Sequence, residues 1–511
     1  MMEKIKHPLV LVALSFAAGS LAALSMAPFN AWPVLLISLP ALYVSTLYAR
    51  SWKSAALYGW LFGFGYFLFS LSWIGNALLV EGNPYKWAWP LAASGLPALL
   101  AFFPAIAVLI IKKFMNLRSV WGWLGFISLY CGFEWLRGHV FTGFPWNLMG
   151  YAWADTPMIL QILWLSDVYM LTWLTLFWLS VPACVLFAKR SDKLIAGGVV
   201  IASFLAALTF GHLQLKNEQT YHDDLNIRIV QPNIAQAEKW QRDKMADHFF
   251  KHLELSKNRD QSKIPTLFIW PETALSYRIL NDPRSMLEIQ KMLADYSTNS
   301  ALLTGLLRHN PSDGSYTNSL VMIDDQSRDV QNIYDKHHLV PFGEYIPFQE
   351  WIPLTPITQF KGFKPGAGLQ TLTTPTGMKY SPLICYEIIF PGRSIADNVR
   401  PDFIVNVTND AWYGISAGPH QHLTQAVFRA IETGIPVIRA ANTGFSGIIS
   451  PYGHIGSRTN LFENDSLSMS LPQKRKPFPL FFDKKHLFVV LFLLFFGMIG
   501  IRSGKRFANR D

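Results

Sequence analysis

Apolar residues dominate the first two-fifths of this chain, in long stretches broken only briefly by polar positions. The stretches fall near 8–28, 31–49, 55–80, 88–112, 119–137, 159–187 and 194–211. Most approach or exceed the roughly 20 helical residues that cross a hydrocarbon core. A last apolar run, 487–501, is shorter. Lys484, Lys485, Arg502 and Lys505 flank it, and their long side chains can snorkel to the interfaces. The pattern predicts a polytopic α-helical membrane part of about eight spans.

Between 212 and 485 the pattern changes. Residues 225–230 alternate as a strand does. Short apolar runs at 266–270, 301–307, 319–323, 381–385, 403–407 and 436–440 read as strands. Residues 248–257, 282–296 and 424–432 have helical spacing. Strands alternating with helices, together with hairpin-like pairs, predict a layered α/β domain. The expected division is therefore 1–211 (seven spans), 212–485 (a water-exposed domain) and 486–511 (a last span and a basic tail).

Composition agrees with this division. The 511 residues are 51% hydrophobic and 15% charged, values expected of a membrane protein with a sizeable soluble part. The net charge of +10 would suit a nucleic-acid binder if it were clustered, but it sits mostly between apolar runs. Lys4 and Lys6 precede the first run. Arg50 and Lys53 follow the second, Lys112, Lys113 and Arg118 the fourth, and Lys189, Arg190 and Lys193 the sixth. Arg502, Lys505, Arg506 and Arg510 close the chain. The other loops are poorer in basic residues. By the positive-inside rule both termini are expected in the cytoplasm and 212–485 outside it. Lys4 and Lys6, the apolar run and Ser25-Met26-Ala27 also fit a signal peptide; its removal would leave the downstream orientation unchanged.

Three strand ends carry reactive groups. The run through Ile384 delivers Cys385, with Tyr386 and Glu387 next. Phe268-Ile269-Trp270-Pro271 ends on Glu272, and Ile333-Tyr334-Asp335 ends on Lys336. Cys131 and Cys184 lie inside apolar runs, and neither a disulfide framework nor a zinc pattern is present. A thiol attacks as thiolate and needs a base or a nearby cation. Glu272 can be that base. Lys336 can favour the thiolate and stabilise an oxyanion, helped by the Tyr386 N–H, and Glu344 can hold Lys336 charged. His337, His338, His420 and His422 are rival partners. Taken singly, each feature has a plain alternative: an inert core cysteine, a turn carboxylate, a solvated Lys-His-His run.

Trp270-Pro271-Glu272, the run from Tyr334 through Lys336 to Glu344, and Ile384-Cys385-Tyr386-Glu387 together resemble the signature segments of the nitrilase superfamily. Phe133-Glu134-Trp135-Leu136-Arg137-Gly138, Thr142-Gly143-Phe144-Pro145-Trp146, Val230-Gln231-Pro232-Asn233-Ile234, Asn409-Asp410-Ala411-Trp412-Tyr413-Gly414 and Arg439-Ala440-Ala441-Asn442-Thr443-Gly444 are similar to hallmarks of its membrane-embedded apolipoprotein N-acyltransferase family. The resemblance implies an αββα sandwich outside the cytoplasm, in a bacterial inner membrane. It implies Glu272 as base, Lys336 as oxyanion stabiliser and Cys385 as nucleophile, supported by Trp240, Glu344, Tyr386 and Glu387, with no metal and no cofactor. The implied donor is a membrane phospholipid, with phosphatidylethanolamine expected. The implied acceptor is the N-terminal amine of a diacylglyceryl-apolipoprotein, reached through a thioester on the enzyme. No nucleic-acid partner is implied.

A membrane-tethered hydrolase of small amides would share the three reactive groups, and a transporter with an outer binding domain would need none of them. The loop 345–363 carries Phe348, Trp351, Ile352, Leu354, Phe360 and Phe363. These residues either pack on their own domain or form a lid that dips into the outer leaflet. Glu134 and Arg137, spaced i and i+3, are expected to pair on one helix face. Asp167 falls inside the sixth run. Trp240, Trp412 and Tyr386 are expected walls that keep water from a thioester.

Overall fold

The computed structural model describes residues 7–187, 190–257, 264–276, 282–325, 330–347, 363–397 and 399–477. The expected span at 487–501 and the loop side chains from Phe348 to Phe360 lie outside the described residues. Contacts divide the chain into two compact units. One contains Met1–Gly75 and Trp87–Asn217; the other contains Asn76–Lys86 and Glu218–Pro477.

The first unit is helical. Its helices are α1 (Pro8–Ala22), α2 (Leu35–Tyr48), α3 (Trp52–Leu71), α4 (Trp89–Leu100), α5 (Phe102–Phe114), α6 (Val120–Arg137), α7 (Val168–Leu179), α8 (Val181–Phe187) and α9 (Arg190–Leu215). Among the described residues, five helical segments are long and apolar enough to cross a membrane: Pro8–Ser25, Trp52–Leu79, Lys86–Phe114, Val168–Phe187 and Asp192–Leu215. Trp32–Tyr48 is apolar but shorter, and α6 carries Glu134 and Arg137. The run 159–187 is not one helix. Helical turns end at Trp164 and α7 starts at Val168. Asp167, expected within the span, is instead the N-cap of α7: its carboxylate accepts from the Met170 N–H at 2.9 Å.

With no water in the hydrocarbon core, every main-chain polar group needs a partner within the protein, which helices provide. Close helix approach then depends on small residues. A Cβ on Gly19 of α1 would lie 1.9 Å from the Phe62 carbonyl oxygen of α3, and one on Gly65 of α3 would lie 2.6 Å from the Phe16 carbonyl oxygen. Glu134 and Arg137 pair as expected, at 2.8 Å. Arg137 also donates to the Phe144 and Trp146 carbonyls at 2.6 and 2.8 Å, so the pair anchors the turn that follows α6.

The second unit contains two six-stranded sheets. In one, β1 (Tyr221–Gln231), β2 (Thr266–Ile269), β3 (Ala301–His309), β4 (Tyr316–Asp324) and β5 (Asn332–Asp335) follow β12 (Asp465–Pro472) in the order β12-β1-β2-β3-β4-β5. The other runs β11-β10-β9-β8-β7-β6, from β6 (Leu372–Thr373), β7 (Lys379–Ile384), β8 (Phe403–Thr408), β9 (Val437–Ala441), β10 (Gly447–Ile449) and β11 (Ile455–Arg458). Ile227, Ile229, Ile269 and Leu303 of the first sheet join Ile384, Val405, Val407 and Ile438 of the second in one core. The opposite face of the first sheet, with Phe268, Leu302 and Val321, packs on α10 (Met245–Ser256) and α11 (Pro283–Ala294) through Phe249, Leu253, Ile289 and Leu293. The helix α12 (Ala417–Thr433) packs against β9 and the turn after β7. The result is the expected αββα order. Burial on both faces explains why the central strands read as unbroken apolar runs rather than alternating ones.

Candidate active site

The parallel strands β2 and β7 and the antiparallel β5 each end on one of the reactive groups. Cys385 follows β7 directly and opens a tight turn, Cys385–Ile389. Its φ is +53°, in the left-handed region that L side chains rarely adopt and that often marks functional positions. Glu272 follows β2 after Trp270-Pro271, and Lys336 follows β5. All three are buried, Cys385 and Glu272 at 7% exposure and Lys336 at 1%.

The structure draws these groups into one charged pocket. Lys336 Nζ lies 2.8 Å from Glu344 Oε1 and 3.9 Å from Glu272 Oε1. Asn318 Nδ2 donates to Glu272 Oε1 at 2.7 Å and to Glu344 Oε1 at 3.3 Å, while the Val340 N–H donates to Glu344 Oε2 at 2.8 Å. Burial works against the Lys336 charge, but Glu344, Glu272 and Cys385 outweigh it and hold the ammonium strongly protonated. Burial raises Glu272 above the usual carboxylate range, opposed by Lys336. Burial pushes the Cys385 thiol up to about 12; Glu272 adds to the rise and Lys336 opposes it.

Glu387 stitches the turn to the loop after β5. Its Oε1 accepts from Tyr334 Oη at 2.9 Å and from the N–H groups of His337 and His338 at 2.9 and 3.1 Å. Its Oε2 accepts from the Ile384 N–H at 2.7 Å. Burial would raise this carboxyl, but the His337 hydrogen bond and charge, followed by the Ile384 N–H and Lys336, hold it low. Tyr386 is buried, its ring edge-on to Phe390 at 5.1 Å and to His338 at 5.7 Å. Trp240 is half-buried against Leu307, Leu339 and Phe363. Trp412 is also half-buried.

The rival histidines face elsewhere. His337 Nδ1 lies 2.6 Å from Glu387 Oε1. His338 stacks on Phe390 at 3.9 Å, and His420 meets the Phe445 ring at 4.9 Å. His422 Nε2 lies 3.2 Å from the carbonyl oxygen of Cys385.

The model of the apolipoprotein N-acyltransferase N-terminal domain matches residues 18–181, and the carbon-nitrogen hydrolase model matches residues 226–474. An apolipoprotein N-acyltransferase of Rhodopseudomonas palustris is 38% identical over 91% of this chain and 90% of its own length. This chain belongs to the apolipoprotein N-acyltransferase family. The family's enzyme of Brucella suis is likewise 38% identical, over 91% of this chain and 90% of its own, and that of Sinorhizobium medicae is 37% identical over 86% and 85%.

Sequence reasoning missed two groups in the pocket of this family member. Asn318 sits inside β4, and only the β3–β4–β5 register brings it to Glu272 and Glu344. Lys239 is buried, and its Nζ donates to the Glu272 carbonyl oxygen at 3.0 Å. Burial pulls its pKa down to about 8, against the charges of Glu272 and Cys385. Its position beside Trp240 was the one available signal.

Proposed function

We propose that this chain moves a fatty acyl group from a membrane phospholipid to the α-amino group of a diacylglyceryl-cysteine at an apolipoprotein N-terminus. Family membership supports the reaction. The observation that carries the chemistry is a buried Cys385 in a left-handed turn at the end of β7, with Glu272 and Lys336, 3.9 Å apart, buried at the ends of β2 and β5.

A thiol pushed up to about 12 is not ionised near neutrality, so the thiolate forms only as its proton leaves for Glu272. Raised by burial, Glu272 is a stronger base than a free carboxylate. Sulfur adds to the lipid ester carbonyl, and the ammonium of Lys336 and the Tyr386 N–H stabilise the oxyanion. The ester C–O bond then breaks, Glu272 gives its proton to the departing lysophospholipid oxygen, and a thioester remains. In the second half, a neutral amine attacks the thioester. Glu272 takes the amine proton and returns it to the departing sulfur, leaving an amide and a free thiol. Glu344 keeps Lys336 charged, Glu387 holds the turn, and Trp240 and Tyr386 wall the thioester from water.

The same reading divides the chain into membrane spans in 1–211, a periplasmic catalytic domain in 212–485 and a last span with a basic tail in 486–511. That makes about eight spans, with both termini in the cytoplasm of an inner membrane. The loop-charge alternation supports this topology. Phosphatidylethanolamine is the proposed donor.

Intact mass after incubation with phosphatidylethanolamine vesicles tests the reading. The parent is expected to gain one fatty-acyl mass that hydroxylamine removes, and Cys385→Ser to gain none. A parent that stays unmodified and leaves the phospholipid untouched would return the chain to small-amide hydrolysis.

A further inference from the structure

A second buried cluster reaches Cys385 through its main chain rather than its sulfur. His422, on α12, places Nε2 3.2 Å from the Cys385 carbonyl oxygen and Nδ1 2.9 Å from Asp410 Oδ1. Arg439, on β9, donates to Asp410 Oδ2 at 2.8 Å and lies 3.1 Å from His422 Nδ1. Arg439 also donates to Asn406 Oδ1, on β8. Asn406 Nδ2 in turn donates to the Leu383 and Cys385 carbonyls, each at 3.4 Å. Thr408 Oγ1 donates to Asp410 Oδ1 at 3.0 Å. Asp410, His422 and Arg439 are each fully buried.

Nothing in the acyl-transfer steps uses these ionisable groups, and burying them is costly without a return. His422 and Asn406 converge on the Cys385 carbonyl oxygen, while Asn406 also holds the Leu383 carbonyl and Arg439 the Phe445 carbonyl. A carbonyl oxygen only accepts, so the His422 contact needs a proton on Nε2. Nδ1 faces Asp410, to which an N–H would donate, and Arg439, from which a lone pair would accept. Tyr413 lies edge-on to the ring at 5.9 Å. With Nδ1 accepting from Arg439, a neutral ring carries its one proton on Nε2 and donates to Cys385; donation from both nitrogens would need the imidazolium, which burial and Arg439 disfavour.

The direction of the thiol follows from the main-chain rotation at Cys385, which is held at φ +53°. Such a rotation is strained for a non-glycine residue and persists only where its surroundings enforce it. Glu387 grips the Ile384 N–H just before this residue; His422 and Asn406 grip the carbonyl of the residue itself. We propose that His422, oriented by Asp410 and Arg439, is a positioning residue: its Nε2–H fixes the Cys385 carbonyl and thereby the aim of the thiol. The inference rests on Cys385 being the nucleophile.

The test is the rate of fatty-acyl gain on the full chain from phosphatidylethanolamine vesicles, measured over a range of lipid concentrations. An asparagine amide reaches only the Nδ1 place, whereas a glutamine amide reaches the Nε2 place. His422→Asn is expected to lower the maximal rate about 100-fold, the cost of a small misplacement at a reacting group, with little change in the half-saturating lipid concentration. His422→Gln is expected to recover about tenfold of that loss. A purely packing role predicts equal losses that track thermal unfolding. The proposal is overturned if His422→Asn acylates at the parent rate, or if the two variants, both melting with the parent, are equally slow. Should neither fold, Asp410→Asn decides: slowed acylation supports the proposal and the parent rate overturns it. Absence of any adduct on the parent removes the nucleophile itself; a normal parent beside an unimpaired His422→Asn removes only the positioning role.

Discussion

Buried hydroxyls of the helical unit and buried polar groups of the sandwich pocket find their partners at different distances along the chain. In the helical unit many serine and threonine hydroxyls bond one turn away on the same helix. Ser15 donates to the Leu11 carbonyl at 2.7 Å, Thr46 to Leu42 at 2.8 Å and Ser70 to Tyr66 at 2.7 Å. Ring donors there reach beyond their own helix, as Tyr43 does to the Leu117 carbonyl and Trp123 to Ser180. Around the sandwich pocket and between its strands, partners come from far along the chain. Asn318 meets Glu272 across 46 positions, His337 meets Glu387 across 50, and Thr459 meets Gln231 across 228. A lone helix in an apolar solvent must satisfy itself. A pocket that keeps an ammonium, two carboxylates and a thiol out of water needs donors from several strands at once. A hydroxyl answered on its own helix can therefore be lost locally, whereas a loss in the sandwich pocket reaches its chemistry.

The strongest way to break this contrast is Lys336→Met. It leaves Glu272 and Glu344 buried without their cation, a loss worth about 3–5 kcal/mol when one partner of a buried pair is removed. Acylation is expected to fall by about 1,000-fold or more with the oxyanion partner gone. Adding Glu344→Gln should restore part of the melting temperature and none of the acylation. Recovery of both would show that Lys336 serves stability alone.

A middle-sized effect concerns acid. Burial pushes the Asp410 carboxyl up, but Arg439 and His422 outweigh it and hold it at about 2. The folded group stays ionised where the unfolded one has taken a proton. Its contribution is therefore present above the unfolded value and is lost as pH falls from about 4 to about 2, amounting to about 2 kcal/mol. Denaturant unfolding of Asp410→Asn should show a correspondingly flatter loss over that window. An acid limb as steep as the parent's would mean that other carboxylates carry it.

The smallest change sharpens the comparison from the other side. Ser15→Ala removes a hydroxyl bonded to its own helix, and the carbonyl it leaves still has a main-chain donor. The expected loss is below about 1 kcal/mol, with acylation unchanged. A larger loss measured by thermal unfolding would mean that Ser15 links helices.

Much of the sandwich was legible because burial on both faces writes continuous apolar runs, and because the reactive groups sit at the ends of those runs. The strands at 266–270 and 381–385 each end one residue earlier than their apolar runs suggest: Cys385 already opens the turn at the site, while Trp270 packs on α10 against Phe249 and His252. The cluster of Asp410, His422 and Arg439 was not legible. Its members come from the loop after β8, from α12 and from β9, and only the parallel register of β8 with β9, which pairs Asn406 with Arg439, brings them together. The break before α7 was hidden for a different reason: an apolar run does not reveal that one acid within it, Asp167, will cap rather than be spanned. Strands β10, β11 and β12 are short or half-exposed and carry little pattern. Their place is set by partners distant in sequence.

The pairing of β1 with β12 bears on how the domain is made. Tyr221 lies opposite Pro472 and Gln231 opposite Asp465, so the first and last strands of the sandwich are neighbours. During synthesis β1 emerges early and can pair with β2 on one side, while its other edge waits for Asp465–Pro472, made after every other strand of the sandwich. An open strand edge is a template for wrong partners. Throughout that interval the β1 edge stays open, and arrival of the final strand is the event that closes it.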